Sequence, residues 1–185
     1  MGYGAFGECT GLTEIEIPKT LEKVTTYHYG ENNGAFRGCS NLKEVRFEEG
    51  TKKVAEYLFT NCPGLEKITI PEGIETIGNG AFAGCGNLTD IIMPGSVTTI
   101  GNSAFESTGK VKKIEIGRGT VTIADNAFKN CNELEEVSLP DTIETIGVNA
   151  FQNDQKITGL KLPKNIKTMG YGAFGECTGL TEIEI

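Results

Sequence analysis

Hydrophobic residues return along this chain with a period of 23 residues, and phenylalanine marks the period most clearly. Phe6 begins the series but lies 30 residues before the second member, so the first interval contains seven extra residues. A short, regular period is typical of a solenoid, in which each coil buries its apolar edge against the next coil. The remaining members stand 23 residues apart: Phe36, Phe59, Phe82, Phe105, Phe128, Phe151 and Phe174.

Each repeat contains a short segment that predicts a β-strand. In the third repeat Ile68 and Ile70 flank Thr69, which is the alternation of a half-buried strand. Pro71 follows and ends the strand, because proline has no N–H to donate to a neighbour. The segment recurs in all eight repeats, so we predict parallel strands stacked side by side in one sheet.

The rest of each repeat brings the chain back to the next strand. Ile74 and Ile77 are predicted to face the core, Gly80 permits a corner, and the Ala–Phe pair is predicted on a short helical or 3₁₀ turn. Together these segments predict a single α/β solenoid domain over residues 1–185 with about eight coils. A parallel β-sheet would form one face, and short strands and 3₁₀ or helical turns would form the other.

The repeat closely resembles the BspA-like class of leucine-rich repeats, which has the same 23-residue form Leu-x-x-Ile-x-Ile-Pro followed by Ile-x-x-Ile-Gly and Ala-Phe-x-x-Cys. Matching residues extend from Phe6 to Ile185. The resemblance implies an α/β leucine-rich-repeat solenoid that acts as a non-catalytic binding scaffold. It also implies a cell-surface or secreted adhesion or recognition module whose ligand is a protein or a glycan.

Charge and hydropathy narrow the classes of partner. The 25 acidic residues outnumber the 17 basic residues, giving a net charge of -8, which argues against nucleic acid as a partner. No apolar run approaches the roughly 20 residues that a membrane helix needs, so no membrane insertion is predicted. Nothing in the composition calls for a cofactor.

The sequence offers little for catalysis or metal binding. His28 is the only histidine, so no catalytic residue and no metal ligand are predicted. Gly170, Gly172 and Gly175 match the G-x-G-x-x-G spacing of dinucleotide-binding proteins, but that motif requires a long helix after a strand. Here the spacing falls on the Ala–Phe pair of a repeat. We therefore predict that the chain is not an enzyme.

All six cysteines stand three residues after a repeat phenylalanine: Cys9, Cys39, Cys62, Cys85, Cys131 and Cys177. Thr108 and Asp154 occupy that position in the other two repeats. Neighbouring coils could bring two cysteines to bridging distance, so disulfides are one interpretation. Cys131, however, lies between Thr108 and Asp154 and has no cysteine neighbour. We favour reduced thiols that pack in the core.

The outward positions of the predicted strands form one candidate binding site. They contain eight acidic and four basic residues and no aromatic residue. The alternative is that these charges only keep the surface soluble. The charged candidates are Glu14, Glu16, Glu44, Arg46, Lys67, Asp90, Glu115, Glu136 and Lys161.

A second candidate is the seven-residue excess in the first interval, near residues 25–33. It contains Tyr27, His28 and Tyr29, and an insertion in a regular array forms a loop that often carries binding. Tyrosine suits protein or sugar contacts because its apolar ring ends in a polar hydroxyl. Loops also tolerate insertions at little cost, so drift is the alternative.

The two ends of the chain carry the same sequence, since residues 1–17 are identical to residues 169–185. Neither end has the polar cap that terminal repeats usually need. This pattern indicates a window from a longer tandem array or a chain given matching ends by design. Head-to-tail self-association through the uncapped ends is therefore possible. A structural spacer or self-assembling scaffold is the alternative to the adhesion module.

Overall fold

The computed structural model describes residues 1–2, 4–24 and 34–185. The described part of the chain is built from short strands joined by turns. In chain order these are β1 (Glu14–Ile17), β2 (Glu44–Phe47), β3 (Lys53–Val54), β4 (Lys67–Thr69), β5 (Thr76–Ile77), β6 (Asp90–Ile92), β7 (Thr99–Ile100), β8 (Lys113–Glu115), β9 (Thr122–Ile123), β10 (Glu136–Ser138), β11 (Thr145–Ile146), β12 (Gly159–Lys161), β13 (Thr168–Met169) and β14 (Glu182–Glu184).

The strands form two stacks, one on each side of the core. The front stack contains β1, β2 and the even-numbered strands from β4 to β14. Its hydrogen-bonded ladders are β1–β2, β4–β6–β8–β10 and β12–β14. The back stack is one six-stranded sheet of the odd-numbered strands from β3 to β13. Strand neighbours are parallel and exactly one repeat apart, as in the pairing of Ile68 with Ile91. The predicted solenoid of parallel strands is confirmed, but the front strands form three separate ladders rather than one sheet.

The segment around each repeat phenylalanine is a chain of tight turns. No helix is found in the described ranges, so the helical or 3₁₀ turn predicted for the Ala–Phe pair is not confirmed. The physical reason is a left-handed residue on each side of the ring: Gly80 and Gly84, two residues before and after Phe82, have φ of 57° and 72°. Glycine adopts this conformation without a steric penalty, and it prevents the helical path from continuing.

These left-handed residues redirect the backbone N–H groups of the turns toward the neighbouring coil. The N–H groups of Gly80, Phe82 and Gly84 donate to carbonyl oxygens of the next coil at 2.8 Å each. In a helix the same groups would bond within their own segment. The turns therefore add a third set of coil-to-coil hydrogen bonds to those of the front and back strands.

The repeat phenylalanines form a continuous column through the centre of the solenoid. Neighbouring rings stack with centroids 5.0 to 5.7 Å apart and planes within 18° of parallel. Rings from Phe36 to Phe151 are 0 or 1% exposed, whereas the terminal ring of Phe6 is 44% exposed. Isoleucines of both strand stacks pack around the column, for example Ile68 and Ile77. Each coil therefore depends on its neighbours to cover its largest side chain.

The described residues include no helix that is long and apolar enough to cross a membrane.

Candidate functional site

The outward side chains of the front strands form an exposed surface, which we call the strand face. Each short front strand in the middle of the array buries one central residue and exposes the two beside it. The strand-face candidates lie in two parallel rows. Glu14, Glu44, Lys67, Asp90 and Glu136 belong to the first row, and the second row holds Glu16, Arg46, Glu115 and Lys161.

Ion pairs connect many of these charges along and between the rows. Arg46 lies 2.8 Å from Glu44 and 3.7 Å from Glu14, so it separates two like charges that the strand register places opposite one another. Lys161 lies 2.5 Å from Glu184 of the next coil. Exposed pairs of this kind contribute little to stability, because solvent screens both charges. Their main effect here is to fix the positions of the charges.

A second charged cluster on the strand face joins the middle coils. Lys113 lies 3.0 Å from Glu115 and 3.2 Å from Glu136. The hydrogen bond to Glu115 is the main cause of the raised pKa of Lys113, which stays protonated at neutral pH. Lys113 is therefore shared by two glutamates, as Arg46 is, and acidic groups outnumber basic groups in both clusters.

The candidate loop residues Tyr27, His28 and Tyr29 lie outside the described residues.

Two adjoining depressions interrupt the strand face near its middle. The larger has a volume of about 680 Å³ and extends over four coils from Met93 to Lys161, along the ends of the strands. The smaller, about 240 Å³, lies beside Ile92, which is 49% exposed. Met93 and Glu115 line both, so the two form one continuous concave surface.

An unusual turn lies at the centre of the larger depression. Gly117 follows β8 at the position where neighbouring coils have Pro94 and Pro140. A Cβ atom on Gly117 would lie 2.0 Å from the carbonyl oxygen of Pro94, and one on Gly119 would lie 1.9 Å from that of Gly95. No side chain fits at either position. The turn therefore packs directly against the backbone of the preceding coil.

Sequence reasoning missed this depression. Strand-face candidates Glu115 and Lys161 line it, but Arg118 and Asp141 were not among the predicted residues. A signal was present, because Gly117 breaks the proline pattern of the repeat. The depression itself depends on how closely two coils approach each other, which the spacing of residues does not specify.

Behind the strand face, the cysteines form a second column beside the phenylalanines. All six are free thiols, and five of them are buried as the predicted packing role requires, whereas Cys9 in the first coil is exposed. Cys62 donates to the carbonyl oxygen of Phe36 at 3.0 Å, and Cys85 donates to that of Phe59 at 3.1 Å. Burial raises the pKa of Cys177 to about 11, and it also raises the pKa of Cys62. These buried thiols stay protonated at neutral pH and are poor nucleophiles.

Within the described ranges, no three side chains among histidine, cysteine, aspartate and glutamate are grouped to hold a metal ion.

Comparison with known proteins identifies the family. The model of the BspA type leucine rich repeat region, with six copies, matches residues 1–133 and 98–185, which together span the chain. This chain belongs to the BspA-type leucine-rich repeat family. No curated protein sequence matches it.

Solved structures of bacterial leucine-rich repeat proteins show the same architecture. A leucine-rich repeat protein from Bacteroides ovatus is 34% identical, with a TM-score of 0.78, over 94% of this chain and 45% of its own. The T. pallidum leucine rich repeat protein is 25% identical, with a TM-score of 0.70, over 98% of this chain and 71% of its own. This chain therefore spans less than half the length of the B. ovatus protein.

A third structure supports the fold alone. It is a leucine rich cell surface protein from Faecalibacterium prausnitzii that is 20% identical, with a TM-score of 0.54. The alignment covers 99% of this chain and 62% of that protein.

Asp154 departs from the BspA-type repeat because a carboxyl group replaces a thiol of the cysteine column. It is fully buried, and its Oδ1 accepts the backbone N–H of Cys131 at 2.7 Å. Its Oδ2 has no hydrogen-bond partner among the described atoms. Burial raises the pKa of Asp154 to about 8, so the group is mainly protonated at neutral pH. A buried carboxylate without a cationic partner would be strongly destabilising.

We predict that Asp154 makes this BspA-type solenoid less stable as the pH rises. An unfolded aspartate has a pKa of about 3.9, so between about pH 4 and pH 8 the native state holds a proton that the unfolded state has lost. The free energy of unfolding should then fall by up to about 1.4 kcal/mol per pH unit. Urea denaturation of the parent and of Asp154→Asn and Asp154→Cys, from pH 5 to pH 8, measures this difference.

Both variants lack the titrating carboxyl, so their advantage over the parent should grow with pH. Asp154→Cys introduces the cysteine that both neighbouring coils have at this position. It therefore restores the cysteine column with a side chain of similar size. Parallel stability curves for parent and variants would show that Asp154 does not retain its proton in the fold.

Proposed function

We propose that this chain is a non-catalytic recognition module that binds a protein or a glycan across its strand face. The observation that carries the proposal is the concave surface formed by the two depressions, which lies among ion-paired charges in the middle of the array. Concave surfaces with apolar and polar lining are where ligands bind. The buried columns are nearly constant from coil to coil, whereas the strand face varies, so ligand specificity belongs to the strand face.

Family membership supports a location at the cell surface or in the secreted fraction. The resemblance to BspA-like repeats implies an adhesion module, and one protein with the same fold is described as a leucine rich cell surface protein. The ligand would then be a protein or glycan of another cell or of its matrix. The acidic net charge of -8 makes nucleic acid a poor partner under this proposal.

A panel of matrix proteins and glycans tests the proposal by surface binding to the intact chain. The strand-face variant Lys113→Glu with Lys161→Glu reverses one charge at each depression, Lys113 at the smaller and Lys161 at the larger, and should weaken binding by about tenfold or more. The matched control is Lys52→Glu with Lys167→Glu. It makes the same charge change and also removes two coil-to-coil ion pairs, but these lie beside the back sheet.

Equal losses in both double variants, or none in either, would contradict a strand-face site. A third variant that lacks residues 27–33 restores the 23-residue period and tests the loop hypothesis separately. Binding that disappears only in this deletion would place the ligand site on Tyr27, His28 and Tyr29 and would overturn the strand-face proposal.

A second candidate function, supported by the end coils, is self-assembly. β1 and β14 each have one hydrogen-bonded neighbour, and the surfaces beyond them are apolar, with Phe6 44% and Ile183 56% exposed. The two strands have the same sequence, so β14 of one copy can continue the ladder onto β1 of another. Under this proposal the chain stacks head to tail.

Light scattering over a range of concentrations tests self-assembly. The mass should rise above 19.8 kDa with concentration, and Ile183→Lys should abolish the rise because it places a charge in the stacking surface. Ile92→Lys is the matched control, since Ile92 is similarly exposed but lies in the middle of the array. A mass that stays at one chain at every concentration would reject this candidate.

A further inference from the structure

The larger depression carries one charge that the protein does not neutralise. We call it the Arg118 groove. Arg118 is exposed, and among the described residues its guanidinium has no ion pair and no hydrogen bond. Each of the other charged groups of the groove has an ion-pair partner: Glu115 lies 3.0 Å from Lys113, which it shares with Glu136, and Asp141 lies 3.7 Å from Lys164. Lys161 is paired with Glu184. The groove therefore offers one uncompensated positive charge.

The backbone that presents Arg118 is fixed on both sides. The hydroxyl of Thr142 contacts the carbonyl oxygen of Arg118 at 3.0 Å and that of Thr120 at 2.8 Å. The hydroxyl of Thr120 in turn donates to the buried carbonyl oxygen of Val97 at 2.9 Å. Gly117 holds the turn against the preceding coil, as described above. A site that is already ordered loses less conformational entropy when it binds a ligand.

The apolar lining of the groove indicates the kind of ligand. Leu139 and Pro140 supply partly exposed aliphatic surface beside Arg118, Met93 and Ile116 line the groove but are largely buried, and no aromatic ring of the described residues lines it. Sugar rings usually stack on aromatic side chains, whereas an aliphatic surface suits the apolar side chains of a polypeptide. An arginine guanidinium binds a carboxylate through two parallel hydrogen bonds.

We infer that the Arg118 groove binds a protein segment in which a single aspartate or glutamate lies beside apolar residues. The carboxylate would pair with Arg118, and the apolar neighbours would cover Leu139 and Pro140. One acidic residue fits better than an acidic run, because the strand face around the groove is itself rich in glutamate. The inference rests on the proposed recognition function and narrows its ligand to a polypeptide of this chemistry.

Nuclear magnetic resonance titration of the intact 185-residue chain tests the inference. The probes are two capped pentapeptides, acetyl-Ala-Leu-Asp-Leu-Ala-amide and the same peptide with Asn in place of Asp. The aspartate peptide should shift the amide signals of Gly117 and Gly119 in a saturable manner, and the asparagine peptide should bind about tenfold more weakly. Added salt should weaken the binding of the aspartate peptide.

Two variants separate the role of Arg118 from general charge. Arg118→Gln should reduce affinity for the aspartate peptide about tenfold and leave the weak binding of the asparagine peptide unchanged. Arg37→Gln is the matched control, because it removes another exposed arginine that lies outside the groove and should have no effect. Ser138→Trp fills the groove from an exposed strand position and should block both peptides.

The inference is overturned if the two peptides bind equally, if neither binds, or if Arg118→Gln binds like the parent. Oligogalacturonate that saturates the same signals when the aspartate peptide does not would assign the groove to an acidic glycan instead. One outcome would separate this inference from the proposed function. If a ligand from the panel binds the strand-face double variant more weakly but binds Arg118→Gln like the parent, the proposed function stands and the Arg118 groove is rejected as the binding site.

Discussion

The solenoid depends on contact between successive coils, and the phenylalanine column is the largest part of that contact. A coil of 23 residues has no second layer that could cover its own ring, so each ring is buried by the rings on either side. Stacked rings also require that successive coils keep the same height and rotation. That constraint gives the strands their in-register parallel pairing and directs the turn N–H groups to the next coil. Stability is then a sum of neighbour terms, and the end coils, with Phe6 exposed on one side, are the weakest.

Much of this arrangement could be predicted from the period alone, because strand alternation, proline placement and the buried Ala–Phe pair each have a direct physical meaning in sequence. The conformation of the turn could not be predicted in the same way. Left-handed residues stand two places before and after each ring from Phe59 to Phe174. These positions hold Tyr57 and Glu176 as well as Gly80 and Asn126, so no single residue type marks the pattern in the sequence. The strand face could be assigned by register. The Arg118 groove depends on the backbone of one coil touching another, and no local signal measures that distance.

Interior and exterior of the repeat vary independently. The interior columns change little, and the one ionisable substitution in the described core, Asp154, is accommodated by a raised pKa rather than by a partner charge. The exterior of the same coils differs from strand to strand, with Ile92, Glu115 and Ser138 at equivalent outward positions. A scaffold of this kind allows surface residues to change without disturbing the fold. The binding proposals therefore rest on side chains that the solenoid holds in place but that do not form part of its core.

Guanidinium denaturation of Phe105→Ala and Phe6→Ala tests the central role of the column most directly. Phe105 is fully buried between two rings, whereas Phe6 has one stacked neighbour and is 44% exposed. The account predicts a loss of about 3–5 kcal/mol in the free energy of unfolding for Phe105→Ala and a markedly smaller loss for Phe6→Ala. Equal losses, or a loss under about 1 kcal/mol for Phe105→Ala, would show that the strands alone hold the coils together.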